Sequence, residues 1–211
     1  MGLKLGNISE KSVEDYKKTF RDMPNSRNFQ QYSNAIYNSF KCPLNGMFDR
    51  AAEIAYPGIP VWIDIGCGKG VALSEVAKGT VKPAGSTPFR CVGIDFRSQE
   101  IELPVEFVNA DMDLITEHEI ALLPRAHIIT SFWGMDYSAN AIETFVKFYN
   151  HLEPGGVFVF TMEKFTRHEI AEKLKAIGDA NVFHTHRMPE TFEPFPYIFL
   201  VFKKRGENNV I

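Results

Sequence analysis

The stretch from Val61 to Gly70 constrains this chain more than any other. Val61-Trp62-Ile63-Asp64-Ile65 is a run of β-branched, aromatic and aliphatic residues holding one acid, which reads as a buried strand. It passes directly into Gly66-Cys67-Gly68-Lys69-Gly70 and then into Val71-Ala72-Leu73-Ser74-Glu75-Val76-Ala77-Lys78, a helix-compatible segment stopped by Gly79. The order is strand, tight loop, helix. Glycines there let the backbone turn sharply and approach a ligand, and the free N–H groups at the helix start favour a polar or negative group. A ligand is therefore expected at this loop.

The rest of the chain repeats the alternation. Arg90-Cys91-Val92-Gly93-Ile94-Asp95 and Val105-Glu106-Phe107-Val108-Asn109-Ala110-Asp111 read as second and third strands, each ending in an acid, and Ala126 to Ser131 reads as a fourth. Thr116 with Glu119 makes a capping box for a short helix before the fourth strand, and Ser138 is placed to cap a helix running to His151. Pro154-Gly155-Gly156 then reads as a turn into a fifth strand, Val157 to Thr161, followed by a helix capped by Thr166 and Glu169. Asn181–Arg187 and Tyr197–Phe202 are separated by too short a loop for a helical crossover, so they are expected to be antiparallel. Only Phe96 to Pro104 separates the second strand from the third, which predicts a clipped connection. Before the first strand, helical spacing is found from Ser12 to about Phe20, from Phe29 to Phe40 and from Asn45 to Ala55.

These elements predict an α/β fold: a doubly wound, mostly parallel seven-stranded sheet with one antiparallel strand. Residues 1–58 are expected to form an N-terminal helical cap region on a body at 59–211, in one compact unit. With 211 residues, 45% of them hydrophobic, the chain is long enough for a single sizeable core. A net charge of −3 does not suggest nucleic acid or a membrane surface as partner, although residues 1–50 carry eight Lys/Arg against five Asp/Glu. Cys42, Cys67 and Cys91 lack metal or disulfide spacing, and His184 with His186 lacks a third ligand, so no metal is expected. Neither a membrane span nor a signal peptide is read, and a cytoplasmic setting is expected.

Ligands of doubly wound sheets bind at the carboxyl ends of the strands where the strand order reverses. The glycine loop, Asp95, Asp111 and Ser131-Phe132-Trp133 all fall at such ends. The dinucleotide fingerprint requires glycine at the sixth position from Gly66, where Val71 stands, and a phosphate loop requires Gly-Lys-Ser/Thr, whereas Lys69 is followed by Gly70. What remains is acid-x-Gly-x-Gly-x-Gly. Ribose presents two adjacent donors that one carboxylate can accept, and the adenine amine is a third donor, so two acids without basic partners suit a nucleoside lacking phosphate. Against this stands the ordinary use of Asp to cap turns after strands.

Asp64 to Gly70, Asp95 and Asp111 together resemble the class I S-adenosylmethionine-dependent methyltransferases, over about residues 58–204. The resemblance implies a Rossmann-like methyltransferase fold and S-adenosylmethionine as cofactor, with S-adenosylhomocysteine as product. It implies cofactor contacts from Asp64, Gly66, Cys67, Gly68, Gly70 and Ser131, ribose on Asp95, adenine amine at Asp111, and Phe96 and Met112 flanking the adenine ring. Leu152 to Val157 is similar to the family's turn before strand five. The segment after the fourth strand, Ser131 to Tyr137, lacks the Asn-Pro-Pro-Tyr pattern of base and glutamine amino methylation. Trp133 and Tyr137 are candidates for an aromatic wall beside the methyl group. Asp136 is a candidate to orient a donor or accept a proton, or else an ordinary helix-start residue. A small-molecule acceptor is expected, with protein or RNA as the alternative. A binding subunit without catalysis is the alternative of a different class, and a nicotinamide-dependent oxidoreductase is disfavoured by Val71.

Overall fold

Val61–Ile65 forms a strand, β2, whose five residues are all buried, as its composition requires. The computed structural model describes residues 3–4, 27–96, 104–132, 134–135, 138–162, 167–176, 183–187 and 197–205. In chain order its elements are β1 (Leu3–Lys4), α1 (Phe29–Phe40), α2 (Leu44–Ala55), β2, α3 (Val71–Ala77), β3 (Arg90–Asp95), β4 (Glu106–Asn109) and α4 (Glu117–Ala121). Then follow β5 (Ala126–Ser131), α5 (Ala141–Asn150), β6 (Leu152–Met162), α6 (Arg167–Ala176), β7 (Phe183–Arg187) and β8 (Tyr197–Phe202). The expected helix from Ser12 lies outside the described residues, as does most of the connection between β3 and β4.

The strands form one sheet in the order β1-β4-β3-β2-β5-β6-β8-β7. The seven expected strands are all present, and Leu3–Lys4 adds an eighth, parallel to β4, within the region expected to be helical. β8 runs antiparallel to both β6 and β7, so it is the single antiparallel member. From β2 the chain winds outward through β3 to β4, then returns to the other side of β2 with β5. The reversal lies between β2 and β5.

Period-two alternation sorts the side chains into two layers. Val61, Ile63 and Ile65 face a core closed by Ile120 of α4, Phe145, Phe148 and Tyr149 of α5, and Ile170 and Leu174 of α6. Trp62 and Ile128 face a second core closed by α1, α2 and α3. Phe48 is fully buried with its ring 5.1 Å from that of Trp62, edge to face. Burial of such a side chain contributes about 1.5–3 kcal/mol. The N-terminal helices thus share one layer of the sandwich with α3.

Boundaries differ from the sequence reading at several points, and β4 stops at Asn109, so Asp111 follows the strand instead of ending it. The turn expected at 154–156 lies inside the long strand β6: Ala126 pairs with Leu152 but Ile128 with Val157, so the extra residues form a bulge. The helix expected from Ser138 begins at Ala141, and the Ser138 hydroxyl donates to Asp113. Elsewhere local chemistry decides the ends. Thr116 and Glu119 form the expected capping box, and Asn28 with Gln31 forms a second at α1. No helix among the described residues is long and apolar enough to cross a membrane.

Candidate active site at the switch point

The glycine loop leaves β2 where the strand order reverses. Gly66, Gly68 and Gly70 all have left-handed backbones, with φ of 71°, 57° and 63°, a geometry that side chains disfavour. The alternation in sequence is thus a conformational requirement. Gly66 and Cys67 donate their N–H groups to the Ile94 carbonyl at 2.7 and 3.2 Å, seating the loop on β3. Gly68 N–H donates to Asp95 Oδ2 at 3.0 Å, so the acid ending β3 shapes the loop as well as facing its mouth. Cys67 is buried, and a Cβ added at Gly93 would lie 2.7 Å from its Sγ.

Asp64 lies beneath this loop, 1% exposed. It is the register partner of Thr130 on β5, so both side chains leave the same face. Thr130 Oγ1 donates to Asp64 Oδ1 at 2.6 Å, and the Tyr32 hydroxyl of α1 donates to Oδ2 at 2.8 Å. Trp62 Nε1 donates to Thr130 Oγ1 at 2.9 Å and completes the network. Burial pushes the Asp64 carboxyl up to about 7, and Asp95 pushes the same way. The two hydroxyl donors and Arg27 oppose that rise. Burial, reinforced by Asp64, also raises the Tyr32 phenol well above its ordinary value.

Asp111 follows β4 and is 6% exposed. Its Oδ1 accepts the Asp113 N–H at 3.0 Å, whereas its Oδ2 is buried without a hydrogen-bond partner among the described residues. A buried carboxylate oxygen left unmatched costs more than one bonded in a turn, which makes this atom a candidate acceptor for an outside donor. Phe96 and Met112 are half-buried on the segments after β3 and β4. Ser131 is fully buried: its hydroxyl donates to the Ile65 carbonyl at 2.9 Å and accepts the Met135 N–H at 3.1 Å.

Five residues of this neighbourhood were not singled out from sequence. Gly134 touches Gly66 backbone to backbone; a Cβ on Gly134 would lie 2.5 Å from the Ile65 carbonyl oxygen and 2.6 Å from Ser131 Oγ. Asp113 accepts hydrogen bonds from Ser138 and Thr144 and from the Ala139 N–H, joining the segment after β4 to the one after β5. Lys147 of α5 donates to the carbonyls of Met112, Asp113 and Ile115. Tyr32 falls within the helix expected from Phe29 to Phe40, with nothing in its spacing to mark it out. For Thr130 a signal existed, since its in-register pairing with Asp64 follows from aligning β2 with β5. Trp133, Asp136 and Tyr137 lie outside the described residues.

The strand order, the glycine turn at the reversal, an acid ending β3 and another following β4 make up a Rossmann-like methyltransferase fold. A family model described as methyltransferase domain matches residues 38–194, and the chain belongs to that family. By structure it is similar to the plantazolicin methyltransferase BpumL in complex with a triazolic desmethylPZN analog and SAH, at 13% identity, TM-score 0.54, and 92% and 90% of the two chains covered. It is also similar to a putative class I S-adenosylmethionine-dependent methyltransferase from Listeria monocytogenes, at 14% identity, TM-score 0.55, covering 92% and 67%. A third is the Burkholderia thailandensis 1,6-didemethyltoxoflavin-N1-methyltransferase, at 16% identity, TM-score 0.52, covering 92% and 86%. No curated protein sequence matches the chain.

Proposed function

We propose that the protein transfers the methyl group of S-adenosylmethionine to a small-molecule acceptor. The observation that carries the cofactor end of this reading is Asp111: an acceptor oxygen, buried and unmatched among the described residues, on the strand end where an adenine amine would supply the missing donor. Asp95 offers a carboxylate to the ribose hydroxyls while its Oδ2 holds Gly68. The left-handed glycines leave room for the amino-acid part, and Phe96 and Met112 flank the ring. Asp64 and Ser131 act one step further back, since the hydrogen bonds described for both run to other parts of the protein.

The bound cofactor would supply an electrophilic methyl on a sulfonium, open to in-line attack. The protein's share is orientation and exclusion of water. Gly134 presses the segment after β5 onto the loop, and Trp133, Tyr137 and Asp136 are our candidates for the acceptor wall and its proton-handling group. A net charge of −3 supports a small organic acceptor over nucleic acid. Three free cysteines accord with a cytoplasmic setting.

Calorimetry with S-adenosylmethionine and S-adenosylhomocysteine tests the cofactor. Absence of heat with either at near-millimolar ligand would refute it. Mass spectrometry of a metabolite mixture incubated with enzyme and S-adenosylmethionine then tests the acceptor; gain of one methyl mass on a small molecule is expected.

A further inference from the structure

Asp64 is the one acid of the glycine motif, yet both of its oxygens are held by protein hydroxyls that come from opposite directions. Thr130 belongs to the sheet. Tyr32 belongs to α1, and its bond to Asp64 is a side-chain link from the N-terminal helices to the acid beneath the cofactor loop. The ring of Tyr32 also stacks on Phe132, centroid to centroid 4.6 Å at 19°, where β5 gives way to the segment facing the acceptor. The start of α1 is tied to the same region. Phe29 N–H donates to Glu75 Oε2 of α3 at 2.8 Å, and Ala72 N–H of α3 donates to the Arg27 carbonyl at 3.1 Å. A single aromatic residue therefore touches the acid under the loop and the first residue beyond β5.

We infer that Tyr32 is a positioning residue of the cofactor site: its hydroxyl holds the Asp64 carboxylate in the ionised, oriented form that the cationic amino-acid part of the cofactor requires, and its ring seats Phe132. This inference rests on the cofactor reading above. Among the described residues, groups with electrostatic reach to Asp64 or Tyr32 include Arg27 ahead of α1, Cys67 of the loop, and Cys91 and Asp95 of β3. Of these only Arg27 favours the Asp64 charge by its own charge, so the hydroxyl donors carry much of the task. A negative carboxylate under the loop attracts an ammonium group, and cofactor affinity then follows its ionisation.

The test is titration calorimetry of the full chain with S-adenosylhomocysteine from about pH 6 to pH 9, on wild type, Tyr32→Phe, Asp64→Asn and the double variant. Tyr32→Phe keeps the stack and removes the donor. For wild type, affinity rises through neutrality. For Tyr32→Phe the midpoint of that rise moves to higher pH and affinity at pH 7 falls roughly tenfold, the effect of one hydrogen bond to a charged group. Asp64→Asn loses the rise, and adding Tyr32→Phe to it changes affinity by less than about twofold. A Tyr32→Phe profile that overlays wild type overturns the inference. So does one with an unchanged midpoint and only a lower melting temperature, which marks a purely structural residue. A wild type that binds no S-adenosylhomocysteine overturns the cofactor reading and this inference with it.

Discussion

Replacing Asp64 by Asn changes how stability depends on pH, and the size of the change follows from its surroundings. In the unfolded chain this carboxyl has the ordinary Asp value of 3.8, whereas burial in the native state lifts it to about 7. Below about pH 4 both states hold the proton and the group contributes nothing. Between about pH 4 and pH 7 the folded protein keeps a proton that the unfolded chain has released. Each pH unit there costs the fold about 1.4 kcal/mol. Above pH 7 both states are ionised and the full penalty remains, on the order of 4 kcal/mol. Asn is nearly isosteric and does not titrate, so the penalty is absent from the variant. Urea unfolding of both proteins at several pH values from about 5 to 8 reads the difference. The histidines His127 and His151, both lowered by burial, titrate alike in the two proteins and cancel. Relative to wild type, Asp64→Asn is expected to gain about 3 kcal/mol across that range. In a chain of this size that shifts the melting temperature by roughly 10 °C. A difference flat within about 0.5 kcal/mol would refute the argument, since hydrogen bonds from Tyr32 and Thr130 would then have offset the whole cost of burial.

Asp111→Asn keeps the Oδ1 bond to Asp113 but removes a buried unmatched charge; apo stability is expected to hold or rise while S-adenosylhomocysteine affinity falls about tenfold or more, read by thermal unfolding and calorimetry on the same samples. Gly134→Ala forces a methyl group against the Ile65 carbonyl and Ser131 and is expected to cost about 1–3 kcal/mol in urea unfolding, with weakened cofactor binding. Lys147→Met removes an ammonium from three carbonyls of the segment behind Asp111. A loss of about 1–3 kcal/mol is expected, and the weakening of cofactor affinity should vanish when Asp111 is already Asn.

The frame of this fold was legible because it rests on short-range signals. β2, the glycine turn and α3 are written contiguously, and the acids ending β3 and following β4 mark strand ends without any knowledge of what lies opposite. The structure places Asp64, Asp95 and Asp111 near the carboxyl ends of three neighbouring strands, although they lie 31 and 16 residues apart along the chain. What escaped were relations between distant segments. Asp113 reads as a turn residue until Ser138 and Thr144 arrive beside it, and Tyr32 reads as one more core aromatic until Asp64 meets its hydroxyl. Ser138 shows the converse: as a helix cap it satisfies every local rule, yet its hydroxyl is donated to Asp113 and the helix starts at Ala141. The turn at Pro154-Gly155-Gly156 escaped because a bulge and a turn use the same residues, and only the pairing of Ala126 with Leu152 tells them apart.

The contact between Gly66 and Gly134 bears on how such an enzyme can be re-tailored. With backbone against backbone, the glycine loop and the segment after β5 share one point that neither can vacate alone. Grafting a foreign segment after β5 is therefore open only beyond Gly134. Any graft that includes position 134 must bring its own version of the glycine turn, so the unit of exchange is a pair of loops.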